Sequence, residues 1–461
     1  MTSLLWFRQD LRLADQPALV AAVAGGAVVP VYILDDASPG ERAMGGASRW
    51  WLHHSLNALD ASLRAFGSRL TLRRGDTLSV LGALANQTGA KAVHATRHFE
   101  PWWRRIEGEL SAEFDLRLHD GNQLAPPEGI LTGGGGRYKV FTPWWRAIVA
   151  QMPPRKPLPV PEAIAAPATW PESDPLECWG LLPTKPDWAG GFADWTPGEA
   201  GARAAFRTFL PKIADYDDGR NLPSKPAISR LSPHLHFGEI SSPTLWHHAS
   251  KAAGAKAEPF LREVGWRDYA TNLIDQFPDY PLNNGRAAYD MLPWRSGVAA
   301  DADFDAWTTG RTGYPIVDAG MRELWATGFM HNRVRMIAAS FLIKHLLIDW
   351  RRGERWFWDT LVDADYGANA SNWQWVAGTG VDAPMFSRIM APLSQSEKFG
   401  AGDYVRRWVP ELAGLSDPYV HDPDEFGQRP RCYPAKLIGH REARERALAA
   451  LRSIRDSVPH E

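Results

Sequence analysis

The segment 362–380, VDADYGANASNWQWVAGTG, combines residue types that rarely share a plain hydrophobic core. Asp and Asn favour caps and turns because their side chains compete for backbone hydrogen bonds, whereas tryptophan needs an apolar environment and a partner for its indole N–H. If the segment is helical, Asp365, Asn369 and Trp373 share one face, and Trp375 faces elsewhere. The pattern is typical of a pocket lining, although a lone Asp or Asn at such a position is usually a cap or a turn.

A second segment, FLREVGWRDYATNL, combines a carboxyl group, a large aromatic ring and a cation. Glu263 and Trp266 are three residues apart and therefore share one helix face, and Arg267 follows directly. The arrangement is a candidate site. The same pattern is more often an amphipathic surface helix whose charges are solvated.

A third segment, FMHNRVRMIAASFLIKHLLIDW, carries polar side chains beside an apolar stripe that begins at Met336. Asn332 and Arg335 lie next to this stripe, which predicts polar groups at the mouth of an apolar cavity. The spacing predicts one helix from Arg333 to Trp350. Such a helix would place Trp350 at the azimuth of Met336 and about 21 Å further along the axis.

The elements that must position these residues belong to two parts of the chain. Strand patterns alternate with helical patterns through the first 130 residues, at 3–8, 27–36, 68–75, 90–98 and 116–121. This alternation predicts an α/β domain with a doubly wound parallel sheet, whose ligands would bind at the carboxyl ends of the strands. No glycine-rich dinucleotide or phosphate-loop motif follows any of these strands.

Residues 151–200 contain eleven prolines and mark a connection between domains. Beyond it the strand patterns disappear and amphipathic helices follow one another. We therefore predict a Rossmann-like α/β domain at 1–130, a Pro/Gly-rich connection at 131–200, and an all-α domain at 201–461.

Composition narrows the class of protein. Hydrophobic residues make up 44% and charged residues 23% of the 461 residues, as is usual for a globular chain. Two cysteines are too few for a disulfide framework or a four-cysteine metal site, and no metal site is predicted. Neither a signal peptide nor a membrane span is evident, so a cytoplasmic monomer is expected. With a net charge of −2, any nucleic-acid partner would need a local basic patch.

Five motifs together resemble the DNA photolyase and cryptochrome family. They are DADYGANASNWQW, GRTGYPIVDAGMREL, FMHNRVRM, SRLSPHL and the N-terminal LLWFRQDLRLAD. They occur in the family's order, and the resemblance runs from about residue 3 to the C-terminal helix. It implies the photolyase fold, in which the helical domain binds FAD in a U-shaped conformation.

The resemblance implies the following flavin contacts. Arg335 and Asp363 resemble an ion pair beside the isoalloxazine ring, Asp365 a contact to its polar edge and the ribityl chain, and Asn369 the residue facing N5. The residues matching the phosphate and ribityl contacts are Tyr216, Ser229, Arg230, Leu231 and Ser232. The residue before this run is usually threonine and is Ile228 here, so one hydrogen bond is expected to be absent.

Three tryptophans, Trp373, Trp350 and Trp294, resemble a relay that carries electrons from the surface to the flavin. The residues implied to bind and split the lesion are Glu263, Asn332, Met336, Trp266 and Trp375. The two tryptophans of this set resemble aromatic walls for a flipped pyrimidine dimer, and the glutamate resembles a partly protonated carboxyl that hydrogen-bonds a pyrimidine carbonyl. Arg220, Arg267, Arg333 and Lys398 resemble a basic rim for DNA phosphates.

The resemblance therefore predicts a lyase that repairs UV-damaged DNA by splitting cyclobutane pyrimidine dimers, using light absorbed by reduced FAD. A cryptochrome-type light sensor is the alternative, and a (6-4) photolyase is disfavoured because relatives with that activity carry paired histidines where this chain has His331 followed by Asn332. A third alternative is a protein that only binds DNA and has no photochemistry; it would lack the flavin and would therefore be colourless. A second antenna chromophore, methenyltetrahydrofolate or a deazaflavin, is also compatible with the family, and the residues around 99–103 do not decide between them.

Overall fold

The computed structural model describes residues 1–457, and the contacts within the chain define two units. Unit 1 comprises residues 1–188, 193–214 and 229–278, and unit 2 comprises residues 189–192, 215–228 and those from Asp279 onward. The segment that contains Glu263 and Trp266 thus groups with the N-terminal part of the chain. The three domain ranges drawn from composition stay a prediction.

Unit 1 is built on one parallel sheet in the order β3-β2-β1-β4-β5, as the alternating pattern predicted. The strands are β1 (Thr2–Phe7), β2 (Ala27–Leu34), β3 (Thr71–Arg74), β4 (Ala92–Thr96) and β5 (Asp115–His119). The central strands are continuous apolar runs because helices cover both faces of a doubly wound sheet. The winding reverses between β1 and β4, where ligands bind in folds of this type. The predicted α/β fold class is confirmed.

Eighteen α-helices are present in the described residues. They are α1 (Pro17–Gly25), α2 (Gly46–Arg64), α3 (Thr77–Thr88), α4 (Pro101–Glu113), α5 (Phe141–Val149), α6 (Glu199–Phe209), α7 (Tyr216–Gly219), α8 (Ser232–His236), α9 (Ser242–Ala253), α10 (Glu258–Gln276), α11 (Val298–Thr308), α12 (Pro315–Thr327), α13 (Asn332–Ser340), α14 (Trp350–Thr360), α15 (Tyr366–Ala377), α16 (Pro392–Lys398), α17 (Gly402–Trp408) and α18 (His440–Ser457). Helices α7 and α11–α18 belong to unit 2, which is helical as predicted.

One hydrophobic core occupies unit 2 and joins α11–α15, α17 and α18. Trp307 and Trp350 are fully buried in it, and Trp373 is 2% exposed. Burial of such large rings accounts for many of the 22 tryptophans. The same core encloses part of the candidate site.

The prediction of a single helix from Arg333 to Trp350 is wrong. Helix α13 ends at Ser340, a π-helical turn follows at Phe341–His345, and α14 begins only at Trp350. Leu347 adopts φ +53°, which an α-helix does not tolerate, and Asp349 caps the new helix by accepting a hydrogen bond from Arg351 N at 2.9 Å. Trp350 therefore does not lie on the helix of Met336, and the 21 Å axial separation does not apply.

None of the described helices is long and apolar enough to cross a membrane.

Candidate functional site

Helix α15 gives its polar and aromatic residues different environments. Asp365 precedes the helix and caps it, because its carboxylate accepts a hydrogen bond from Ala368 N at 2.8 Å. Asn369 and Trp373 are buried, whereas Trp375 is half-buried. The prediction that Trp373 and Trp375 face different surroundings is confirmed. Asp365 is a helix cap, as its residue type favours.

The amide of Asn369 has a fixed orientation. Its nitrogen donates to the backbone carbonyl of Glu354 at 3.0 Å and to Glu354 Oε1 at 2.9 Å. Rotation of the amide would bring its oxygen against two acceptors, so Oδ1 stays available as an acceptor. Glu354 is fully buried on α14, and the sequence analysis missed it. The sequence does contain a pattern that could have identified Glu354, because this carboxylate lies on the same helix face as the buried Trp350 and Phe357.

Arg335 and Asp363 form the ion pair that the resemblance predicted, and the structure shows that it is bidentate. Arg335 Nη1 lies 3.1 Å from Asp363 Oδ1, and Nη2 lies 2.9 Å from Oδ2. The guanidinium also donates through Nε to the carbonyl of Met330 at 2.7 Å. A largely buried carboxylate such as Asp363 is stable when its charge is matched and its oxygens are hydrogen-bonded.

The three tryptophans predicted to form an electron relay, Trp373, Trp350 and Trp294, all lie in or against the core of unit 2. The ring of Trp373 contacts Phe357 and Trp307, with centroid distances of 5.0 and 6.2 Å. A Cβ on Gly353 would come 2.2 Å from Trp373 Cη2, so this indole packs on the α14 backbone one turn after Trp350. Trp350 donates its Nε1 to Asn284 Oδ1 at 2.9 Å, and Trp294 is half-buried at the edge of the core.

Basic residues surround the N-terminal turn of α13. Arg333 donates to Met336 Sδ at 3.7 Å, and its guanidinium lies 4.4 Å from the ring of Phe399. Lys398 lies 5.4 Å from the same ring. Burial, together with the positive charges of Arg335, Arg333 and Arg220, lowers the pKa of His331 to about 4. The predicted rim residues Arg220, Arg333 and Lys398 thus lie around this helix terminus, where Asn332 is exposed.

Tyr216 begins the short helix α7 in unit 2. Its side chain is 9% exposed, and the guanidinium of Arg220 lies 5.4 Å from its ring centroid. Tyr216, predicted to contact the flavin, and Arg220, predicted to contact DNA phosphates, are therefore neighbours one helical turn apart.

In unit 1, α10 presents Glu263 and Trp266, which are both half-buried. Trp266 stacks face to face on Phe141 at a centroid distance of 3.5 Å and an angle of 8°. Tyr269 contacts the same indole edge to face at 5.6 Å and donates its hydroxyl to Lys139 O at 2.6 Å. Phe141 therefore covers one face of the Trp266 ring, and only the opposite face remains for another aromatic system.

The run Ser229–Ser232 leads into α8 of unit 1. Ser229 Oγ accepts from Leu231 N at 3.4 Å, and Arg230 has φ +54° with its guanidinium 4.0 Å from the Trp195 ring. Ser232, the first residue of α8, is exposed.

Arg267 differs from the other predicted rim residues. Its Nη2 donates to the carbonyl of Leu235 in α8 at 3.0 Å, while Nε and Nη1 are buried and lack a partner in the described part of the chain. Buried donors without a partner cost free energy, so these atoms fit a ligand held close to α8 better than a loosely bound phosphate at the surface.

A parallel α/β unit, a helical unit with an Arg–Asp pair and an oriented asparagine, and tryptophans packed in the helical core are the features that the resemblance to a flavin-binding family predicted. The comparisons with known proteins agree. A family model described as DNA photolyase matches residues 3–162, and one described as the FAD binding domain of DNA photolyase matches residues 260–453. The chain belongs to the DNA photolyase and cryptochrome family, which confirms the resemblance seen in the sequence.

Similar proteins include photolyases that match almost the whole chain. A deoxyribodipyrimidine photo-lyase from Agrobacterium fabrum is 47% identical, over 99% of this chain and 98% of that protein. The crystal structure of a bacterial class III photolyase from Agrobacterium tumefaciens has a TM-score of 0.93 and 46% identity, and the match covers 99% of this chain and 98% of that one. Cryptochrome-1 from Arabidopsis thaliana is more distant, at 32% identity over 97% of this chain and 70% of its own length.

The residues present fit an FAD. In unit 2, Asn369 offers an acceptor of fixed orientation, and Arg335 and Asp363 offer a matched ion pair. The individual contacts assigned to each residue stay predictions.

Proposed function

We propose that this chain repairs cyclobutane pyrimidine dimers in UV-damaged DNA with the aid of light. When bound and reduced, FAD would supply the photochemistry, which is the transfer of one electron to the dimer and its later return. The observation that carries the proposal is helix α15, which buries Asn369 and Trp373 and leaves Trp375 half-exposed. One short helix thus offers an oriented acceptor, an interior indole and an accessible indole.

The protein side of the reaction is binding and orientation. We assign Trp266 and Trp375 to stacking on the flipped lesion, where base–aromatic stacking is worth roughly 1–3 kcal/mol per base. Glu263 would hydrogen-bond a pyrimidine carbonyl and stabilise charge that develops on the dimer. Asn332 would add a polar contact, and Met336 a soft apolar one.

The flavin would be held by residues from the candidate site. Asn369 Oδ1 would accept the hydrogen at N5, and the ion pair of Arg335 and Asp363 would lie beside the ring. Asp365 would contact the polar edge. Tyr216, Ser229, Arg230, Leu231 and Ser232 would hold the phosphates and ribityl chain.

The tryptophans Trp373, Trp350 and Trp294 would pass electrons inward to restore the reduced cofactor. The burial of the first two supports this role, because an indole shielded from water is protected from side reactions. The half-buried Trp294 would be the outer end of the relay.

Arg220, Arg333 and Lys398 would bind DNA phosphates, and these contacts give salt-dependent affinity without sequence readout. Arg267 is retained as a weaker candidate for this role, because its orphaned donors lie beside α8. We also propose that the chain acts as a monomer in the cytoplasm.

A second chromophore, methenyltetrahydrofolate or a deazaflavin, is proposed for unit 1. Arg8 Nε and His98 Nε2 are buried without a hydrogen-bond partner in the described residues, near the carboxyl ends of β1 and β4, which is where ligands bind in doubly wound sheets. The absorption spectrum of the purified protein before and after denaturation would identify each bound chromophore. A spectrum accounted for by FAD alone would reject the antenna.

The decisive experiment is repair of irradiated DNA. Fully reduced, illuminated protein should remove cyclobutane dimers, while dark protein should not. A flavin-containing protein that repairs no dimers under light would overturn the proposal in favour of a cryptochrome-type sensor. Repair of (6-4) photoproducts alone would overturn the substrate assignment.

A further inference from the structure

The buried tryptophan at the start of α14 donates its indole N–H to a neutral acceptor. Trp350 is fully buried, and its Nε1 donates to Asn284 Oδ1 at 2.9 Å. In the proposed relay this indole gives one electron to Trp373 and then receives one from Trp294, so it is a radical cation in between. We propose that Asn284 keeps the indole proton on Trp350 while this ring is oxidised. Because it takes Trp350 as a member of the relay, this inference rests on the proposed function.

The amide of Asn284 is held so that its oxygen faces the indole. Its nitrogen donates to Asp290 Oδ1 at 2.7 Å. Rotation of the amide would bring its oxygen against this carboxylate and its nitrogen against the indole N–H, and both contacts would be repulsive. Oδ1 is therefore the atom that stays on Trp350.

The backbone on both sides of Asn284 is fixed by a glutamine of α15. Gln374 is fully buried, and its Nε2 donates to the carbonyls of Tyr280 and Asn283 at 2.6 and 3.0 Å. Its Oε1 accepts from Gly285 N at 2.8 Å. The acceptor is thus in place before charge develops on the ring, and little reorganisation is needed when the charge appears.

The chemical identity of the acceptor matters because oxidation turns the indole N–H into a far stronger acid. A hydrogen bond from a charged donor is stronger than one from a neutral donor, so Asn284 Oδ1 stabilises the radical cation. An amide oxygen is nevertheless too weak a base to remove the proton. Asn284 also keeps the carboxylate of Asp290 one side chain away from the indole, and burial of Trp350 keeps bulk water away from it.

Retention of the proton keeps each step of the relay a transfer of one electron. Trp294 then restores neutral Trp350 with one electron, and no bond forms or breaks. If the proton left Nε1, Trp350 would become a neutral radical, and its recovery would need a proton as well as an electron. The guanidinium of Arg351, 4.8 Å from the ring centroid, would favour this loss, and Asp349 moderates its charge through contacts of 3.3 Å.

The same loop offers a matched control in Asn283, which is exposed. N284D replaces the neutral acceptor with a carboxylate that can take the proton, whereas N283D adds the same charge one residue away and leaves the acceptor in place. N284A removes the acceptor without adding a charge, and it keeps the test valid if N284D folds poorly.

The experiment follows the absorbance of tryptophan radicals after a light flash, in the full chain loaded with oxidised FAD, in light and in heavy water. The unsubstituted protein and N283D should form a radical cation first, and its early decay should not depend on the solvent isotope. N284D should form a neutral radical early, with a solvent isotope effect. Its photoreduction should be several-fold slower, because an external thiol cannot reach the buried ring. N284A should shift the positive charge from Trp350 toward Trp373 by about tenfold.

The outcomes separate this inference from the function on which it rests. If W350F blocks photoreduction while N284D and N284A behave like the unsubstituted protein, the inference is overturned and the relay stands. The same early neutral radical in N283D and N284D would also overturn it, because the effect would then reflect general charge. Normal photoreduction in W350F would instead reject the relay itself.

Discussion

At the scale of single residues, the hydrogen bonds of Asn369 decide what its amide can do. An asparagine side chain has two donors on nitrogen and an acceptor on oxygen, and either end can in principle face a ligand. Glu354 takes the nitrogen through two acceptors, its backbone carbonyl and its carboxylate. The residue assigned to face N5 is therefore held as an acceptor, and it adds no negative charge of its own.

Glu354 should accordingly influence the flavin through Asn369. In E354L one of the two acceptors that orient the amide is lost, so the reduced flavin should lose part of a hydrogen bond worth about 1 kcal/mol. We expect the reduction potential of the bound FAD to fall by tens of millivolts, as measured by spectroelectrochemistry. E354Q should stay close to the unsubstituted protein, because a glutamine oxygen can still accept from Asn369.

The control for this prediction is N372A. Asn372 is an exposed amide on the same helix and donates to the carbonyl of Ala368 at 2.8 Å. Its loss should not change the potential. An E354L protein with unchanged potential would mean that Asn369 does not depend on Glu354 for its orientation.

At the scale of elements, the joint between α13 and α14 brings parts of the site together. The π-helical turn Phe341–His345 and the left-handed Leu347 let the chain restart at Trp350, with Gly353 facing the indole of Trp373. The close contact needs a residue without a side chain, which explains a glycine in the interior of a helix where alanine would otherwise be preferred.

Replacing this glycine should be costly. In G353A the new methyl group would meet Trp373 Cη2 and Leu342 Cδ2 at 2.2 and 2.5 Å, so both side chains must shift. Overpacking of this kind costs typically about 1–3 kcal/mol, and we expect a lower midpoint of chemical unfolding. G108A is the matched control, because Gly108 is an exposed position in α4 where an added methyl group would meet open space, and it should gain up to about 1 kcal/mol. Equal stability of the two variants would contradict the packing argument.

The π-helical turn also carries a buried amine. Burial, with a contribution from the positive charge of Arg388, lowers the pKa of Lys344 to about 7. The unfolded chain keeps this proton up to a pKa near 10.5, so between pH 7 and 9 the unfolded state binds more protons and stability should rise with pH. Urea unfolding at pH 7, 8 and 9 should show this rise, and K344M should flatten it. An identical pH dependence in K344M would show that Lys344 does not titrate in this range.

The sequence predicted elements well where one periodicity dominates. The apolar runs of β1, β2 and β4 allow one interpretation as buried strands, and the structure agrees. The prediction failed after Ser340 because apolar residues continue at helical spacing through Leu346, and nothing in that periodicity reveals the left-handed Leu347. The partners Glu354 and Phe141 were missed for a related reason, since each contacts a residue of a different helix and no periodicity within one helix reveals such a contact.

At the scale of the whole molecule, the net charge of the chain limits how it can bind DNA. The chain carries a formal charge of −2, so DNA must be held by local groups such as Arg333 and Lys398 and not by the overall field. Affinity for damaged DNA should therefore depend on few contacts.

The relay across unit 2 gives the last prediction. Trp373 lies one turn after Asn369 on α15, and its ring packs against Gly353 in the first turn of α14. Helix α14 begins at the buried Trp350. Phenylalanine fills most of the same space but is much harder to oxidise, so W373F should fold normally and bind FAD. Blue light with an external reductant should bleach the oxidised flavin absorbance far more slowly in W373F than in the unsubstituted protein.

Chemically reduced W373F should still repair cyclobutane dimers, because the proposed relay would restore the cofactor without contacting the lesion. W408F is the matched control, since Trp408 is half-buried at the edge of the same core and has no assigned role. Its photoreduction should proceed at the unsubstituted rate. Normal photoreduction in W373F would show that electrons reach the flavin by another route, while loss of repair in the chemically reduced variant would assign Trp373 to the lesion site instead.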